Sequence, residues 1–292
     1  MSEYILRNEK ASVRVDSLGA ELKSFRGLSE GREYMWQADP AYWKRTSPVL
    51  FPLVGNYKNK CCVYDGKTYS LSQHGFARDR EFVCFSRTED TLWFALESDE
   101  ETRKMWPFSF RLELGYRLRE RSLEVLWRVI NTDSREMYFS IGGHPAFNCP
   151  PGDGVSKEGC YLQFDADSLV KRLIGPDGLA TDEFEELKLD EGRLKITDEL
   201  FDQDALVMEG DQAHQVTLAD RNKTPFVTVR FDAPLFGVWS PVGKKAPFVC
   251  IEHWYGRCDH KDFEGTLEER EWGRSLPPGE VFDASYQIIL PD

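Results

Sequence analysis

Ser122-Leu-Glu-Val-Leu-Trp-Arg-Val129 reads as a β-strand with a mostly buried centre, and Leu112-Glu-Leu-Gly-Tyr116 before it alternates between apolar and other residues. Strict alternation turns one face of a strand to the core and the other outward. The same period of two recurs in Ala11-Ser-Val-Arg-Val15, Val216-Thr-Leu218, Phe226-Val-Thr-Val-Arg-Phe231 and Ala284-Ser-Tyr-Gln-Ile-Ile-Leu290. Turn chemistry falls between such runs. Asp65-Gly66 separates Val63-Tyr64 from Thr68-Tyr69 and predicts a tight hairpin. Pro176-Asp177-Gly178 and Pro277-Pro278-Gly279 are further turns. Helical periodicity is scarce, and the predicted helices are short, around Pro40 to Arg45 and around Asp198 to Phe201. The expected fold is an all-β sandwich or barrel. The turn-rich Pro150-Pro-Gly-Asp-Gly154 reads as a loop inside one domain spanning residues 1–292.

Composition narrows the function. The 292 residues hold 37 Lys and Arg against 50 Asp and Glu, a net charge of −13. That balance excludes the electrostatic footprint of a nucleic-acid binder and is repelled by an acidic membrane surface. No apolar run approaches the length of a membrane span, and the opening MSEYILRNEK has no signal-peptide pattern. The seven cysteines show no C-x-x-C spacing, which argues against a zinc ribbon and fits a reduced cytoplasm.

No dinucleotide, nucleoside-triphosphate, zinc-protease or nucleophile-elbow motif is present, so side-chain chemistry without metal or cofactor is expected. His74 lies in Gln73-His-Gly-Phe-Ala-Arg78 and His144 in Ile141-Gly-Gly-His-Pro-Ala-Phe147. Glycine and proline at these positions place both rings at strand ends or in loops, where they are either site residues or merely packed. His214 and His260 have polar surroundings and read as surface residues. Glu252 ends the apolar run Pro247-Phe-Val-Cys-Ile251. A carboxylate there is a candidate general base if buried, or a solvated or ion-paired strand end. His253 is expected on the opposite face.

Seven segments in order then resemble the aldose 1-epimerase (galactose mutarotase) superfamily, most of all its shorter, less characterised branch. They are Leu18-Gly-Ala-Glu-Leu-Lys-Ser-Phe25, Tyr42-Trp-Lys-Arg-Thr-Ser-Pro-Val-Leu-Phe-Pro-Leu-Val-Gly55, Tyr64-Asp-Gly-Lys-Thr-Tyr69, His74-Gly-Phe-Ala-Arg78, Gly142-Gly-His-Pro-Ala-Phe147, Phe201-Asp-Gln-Asp-Ala-Leu206 and Cys250-Ile-Glu252. The resemblance implies a large antiparallel β-sandwich, a sugar bound in an open cleft and cofactor-free exchange of anomers. By position, Glu252 resembles the general base, His144 the general acid and His74 the second, sugar-binding histidine. Arg78 resembles a substrate-facing arginine. Asp204 resembles the carboxylate that holds sugar hydroxyls, with Asp202 as the alternative. Asn56 stands at a sugar contact where many relatives carry arginine, and His253 stands where proline is common. The implied partner is a small sugar or sugar phosphate, with a homodimer compatible. Two alternatives to a plain mutarotase follow. One is a hexose 6-phosphate mutarotase using Arg45, Arg78 or Arg80 for the phosphate. The other is a carbohydrate-binding protein without catalysis. A metal-dependent oxygenase is disfavoured, because no H-x-H or H-x-D spacing occurs.

Overall fold

Phe110–Arg119 and Ser122–Asn131 pair antiparallel along their whole length, Phe110 opposite Asn131 and Arg119 opposite Ser122. Ser122–Asn131 is a strand as its sequence predicts, but burial alternates residue by residue along it rather than filling its centre. The computed structural model describes residues 2–151 and 156–291, so residues 152–154 of the loop expected at 150–154 lie outside the described residues. Among the described residues, this hairpin belongs to a nine-stranded sheet. Thr91–Glu97 flanks it on one side and Val281–Ile289 on the other.

A second sheet of eight strands runs Ala180–Leu187, Leu169–Ile174, Leu206–Glu209, Leu235–Trp239, Phe248–Tyr255, Ile141–Gly143 and Val49–Leu50. Ala146–Asn148 also pairs with Phe248–Tyr255. All of these pairings are antiparallel. One buried cluster joins the sheets, with Leu112, Trp127 and Val129 from the first and Val238, Val249 and Ile251 from the second. Fully burying each such side chain stabilises by about 1.5–3 kcal/mol. The all-β galactose mutarotase-like sandwich expected from the sequence is the observed architecture.

The Asp65-Gly66 hairpin forms as predicted, with Tyr64 opposite Lys67 and both turn residues at positive φ. The two predicted helices do not form. Over Pro40 to Arg45 the chain makes one turn, with the Tyr42 and Trp43 amides donating to the Asp39 carbonyl. Just beyond, the amides of Thr46 and Ser47 donate to the Glu21 carboxylate, so the turn does not continue into a helix. Asp198 to Phe201 is a series of turns, and Asp198 pairs with Lys245. The α-helix is elsewhere, at Glu100–Met105. Its signal was a capping box, in which Asp99 accepts from the Thr102 amide and Thr102 accepts from the Asp99 amide. Six residues are too few to show a helical period.

Two glycines in the second sheet make room for one tryptophan. Gly142 pairs with Trp254, and a Cβ on Gly142 would lie 2.6 Å from the indole Cδ1. A Cβ on Gly237 would run into the other end of the same ring. Gly237→Ala is therefore expected to destabilise by about 1–3 kcal/mol through overpacking, read as a lower Tm in thermal denaturation. An unchanged Tm would mean that the ring can swing clear.

Candidate active site

The register of Phe248–Tyr255 builds the centre of the site. Gly143 lies opposite His253, and Ala146 lies opposite Cys250. The same register carried between them sets His144 across from Glu252. Cross-strand neighbours project from the same face, and here His144 Nε2 stands 3.2 Å from Glu252 Oε1. Pro145 brings no N–H to this gap. Its carbonyl accepts the Ile251 amide, while the His144 amide donates to the Pro48 carbonyl. Alternation sends Glu252 and Trp254 to the outer face of the sheet and His253 to the core between sheets. His253 stacks on Trp127 at 5.3 Å and on Phe231 at 5.7 Å, and burial pushes its pKa down to about 3. It takes no part in the cleft.

His74 arrives from a loop. Its backbone is left-handed, φ 66°, and Gly75 follows at φ 71°. The His74 amide donates to the Gly55 carbonyl at 2.8 Å, and the Gly55 amide donates back to His74 Nδ1 at 3.1 Å. An Nδ1 that accepts carries no proton, so the neutral ring holds its proton on Nε2 and is a donor there. Burial, reinforced by His144, Arg78 and Arg45, keeps its pKa well below the usual histidine range. The His74 and His144 rings stand 5.7 Å apart, nearly perpendicular.

These groups line a cleft of about 790 Å³. Glu252 is 2% exposed and His144 6%, so both side chains are buried at the cleft. Burial raises the Glu252 pKa well above the carboxylate range, and the nearby charge of Asp204 raises it further. Asp204 lines the cleft, half-buried, at φ 72°, and Asp202 lines it from a more exposed position. Arg78 lines it too. Its Nη2 donates to the Gln73 carbonyl at 2.6 Å, but its buried Nε makes no hydrogen bond. Burial and the neighbouring Arg45 lower its pKa to about 10. Arg45 is held by Asp79 at 2.7 Å, and Arg80 faces Asp99 at 3.7 Å. The Asn56 side chain lies against Gly178, which lines the cleft. Trp43 and Trp239 complete the wall. Trp43 stood inside a quoted segment without a role, and Trp239 gave no signal beyond an aromatic at a strand end.

A known family fits this fold and this pair of groups. The family model described as aldose 1-epimerase matches residues 2–288. The chain belongs to that family. It is 29% identical over 295 residues to the chromosomal LacX protein of Lactococcus lactis, covering 98% of each chain. It is 35% identical to the solved galactose mutarotase related enzyme of Lactobacillus acidophilus, with a TM-score of 0.93 over 100% of this chain and 98% of that one. A galactose mutarotase-like protein from Lactobacillus casei is 30% identical, with a TM-score of 0.91 over 99% and 100%. No helix among the described residues is long and apolar enough to cross a membrane.

Burial of Glu252 in this aldose 1-epimerase family member has a stability consequence. Glu252 binds its proton more tightly folded than unfolded, so its contribution to stability is present below the unfolded pKa and is lost as pH rises through the raised folded pKa. Glu252→Gln removes that loss. Calorimetry should show the variant melting a few degrees above wild type at pH 8, with the difference shrinking towards pH 4. A pH-independent difference would contradict the raised pKa.

Proposed function

We propose that this protein is an aldose 1-epimerase in activity as well as in family, interconverting the α- and β-anomers of a hexose by acid/base ring opening. The observation that carries this is the buried Glu252–His144 pair, 3.2 Å apart in a sugar-sized cleft. The Glu252 carboxylate takes the proton of the anomeric hydroxyl, and that oxygen's electron pair forms the aldehyde C=O. The bond from C1 to the ring oxygen breaks, and the His144 imidazolium gives that oxygen its proton. Rotation about C1–C2 and closure on the other face reverse both transfers. The pair goes from carboxylate and imidazolium to carboxylic acid and imidazole with no change in total charge, which suits a site that water does not solvate. Each proton transfer is worth about 10²–10⁴-fold. His74 donates from Nε2 near the ring oxygen, and Asp204 and Arg78 hold hydroxyls. Residues 1–292 serve as one domain, acting on a small sugar in a reduced cytoplasm, a setting that fits seven unpaired thiols.

A hexose 6-phosphate is a second reading, favoured by Arg78 on the cleft wall with Arg45 beside it, both sharing Asp79 as counter-charge. A planar guanidinium suits a phosphate.

Anomer exchange measured by NMR magnetisation transfer, with glucose, galactose and their 6-phosphates, tests both. Glu252→Gln is expected to cut catalysed exchange about 10³-fold while sugar binding persists. Full activity in that variant would remove Glu252 as the base. Arg78→Lys should lower kcat/KM for a phosphosugar about tenfold more than for the neutral sugar if the second reading holds. Equal losses would count against it.

A further inference from the structure

Ring opening, as proposed above, needs His144 charged. Its surroundings work against that. Burial first, then the charges of Arg78 and Arg45, push its pKa down to about 3. The groups that face the ring come from several elements. Glu252 stands 3.2 Å from Nε2 on Phe248–Tyr255, and His74, held neutral by Gly55, is 5.7 Å away edge-on. Trp239, ending Leu235–Trp239, meets the ring edge-to-face at 5.6 Å. Nδ1 has no hydrogen-bond partner. Glu252 favours the charged ring only while it is itself ionised, and burial opposes that too.

The remaining neighbour is Trp43. Its indole stacks on the imidazole at 4.8 Å between centroids with the planes 27° apart. The stack continues behind it, Trp43 on Phe248 at 5.9 Å and Phe248 on Trp36 at 4.5 Å, each within 27° of parallel. Trp36 Nε1 donates to the Trp43 carbonyl at 2.9 Å, which ties the two ends of this ladder together. The indole is therefore held against His144 rather than left to turn towards solvent. An indole face carries negative quadrupole charge, and a cation over it is attracted most strongly where water is excluded.

We propose that the Trp43 face favours the protonated form of His144 that the reaction uses, a cation–π partner that makes Trp43 a positioning residue acting through His144. This rests on His144 being the acid of the proposed mechanism. A Trp43 that only stacked on the sugar would affect KM and leave the histidine's titration alone.

The test follows the His144 ring ¹⁵N shifts against pH in wild type, Trp43→Phe and Trp43→Leu without sugar, alongside the pH profile of anomer exchange. Wild type is expected to show His144 titrating at a higher pH than either variant. Trp43→Leu should lower its pKa by about one unit or more, with Trp43→Phe between the two. The basic limb of kcat should move down by the same amount, kcat at neutral pH should fall about tenfold, and KM should stay within about twofold. A His144 neutral throughout in wild type, or an unchanged pKa in both variants, overturns the proposal. So does a raised KM with an unmoved pKa, which would make Trp43 a sugar platform. If Trp43→Leu does not fold, Trp43→Phe keeps most of the volume and still decides. The titration uses no sugar, so a failure of Glu252→Gln to lose exchange would strike the mechanism and not this measurement.

Discussion

The strand Phe248–Tyr255 and its register depend on a constraint that tolerates no slip. A shift of one residue would exchange the two faces of the strand. His253 and Ile251 would leave the core between the sheets for the cleft, and Glu252 would enter that core without a partner. The pairing of Gly143 with His253 and of Ala146 with Cys250 prevents this from both sides of Pro145. The close contact between a carboxylate and an imidazole then needs no loop to arrange it. It follows from two β-segments in register, the most rigid support the fold offers.

That rigidity has an electrostatic counterpart. Glu252 and His144 are both buried at the cleft, so each resists its charged form. In the proposed reaction, a pair that trades one proton back and forth avoids creating net charge there. The guanidiniums of Arg78 and Arg45 stand near the histidines rather than the carboxylate's own strand, and the acidic Asp204 stands near Glu252. Basic groups thus act on the imidazoles and an acidic group on the carboxylate, inside a protein of net charge −13. Overall charge described the surface of this molecule and not its pocket.

Much of this was legible in the residues, for identifiable reasons. Alternation showed the strands because burial in a sheet has a period of two, and Asp65-Gly66 showed its hairpin because few other pairs accept that backbone. The opposition of Glu252 and His253 was legible from the same period. The places where the reading failed involve partners far away in sequence. Pro40 to Arg45 looked helical until Glu21 captured the amides that a helix would need. The approach of Asn56 to Gly178, more than a hundred residues on, was likewise not visible. The tautomer of His74 is set by a backbone amide at Gly55, and the stack of Trp43 on His144 joins residues about a hundred apart. No local pattern encodes these contacts.

The strand Val281–Ile289 occupies the middle of the nine-stranded sheet, between Ser122–Asn131 and Pro225–Phe231. It is also the last of those strands to leave the ribosome. Until it arrives, the sheet exists as two separate halves whose inner edges are open, and the floor of the cleft has nothing complete to rest on. Closure waits on a pairing between residues that are more than one hundred and fifty positions apart, the sort of contact that folds slowly and leaves edges exposed meanwhile. The sandwich is therefore completed only by its last strand, and a nascent chain stalled short of it would carry His74, His144, Asp204 and Glu252 without a completed sandwich to hold them.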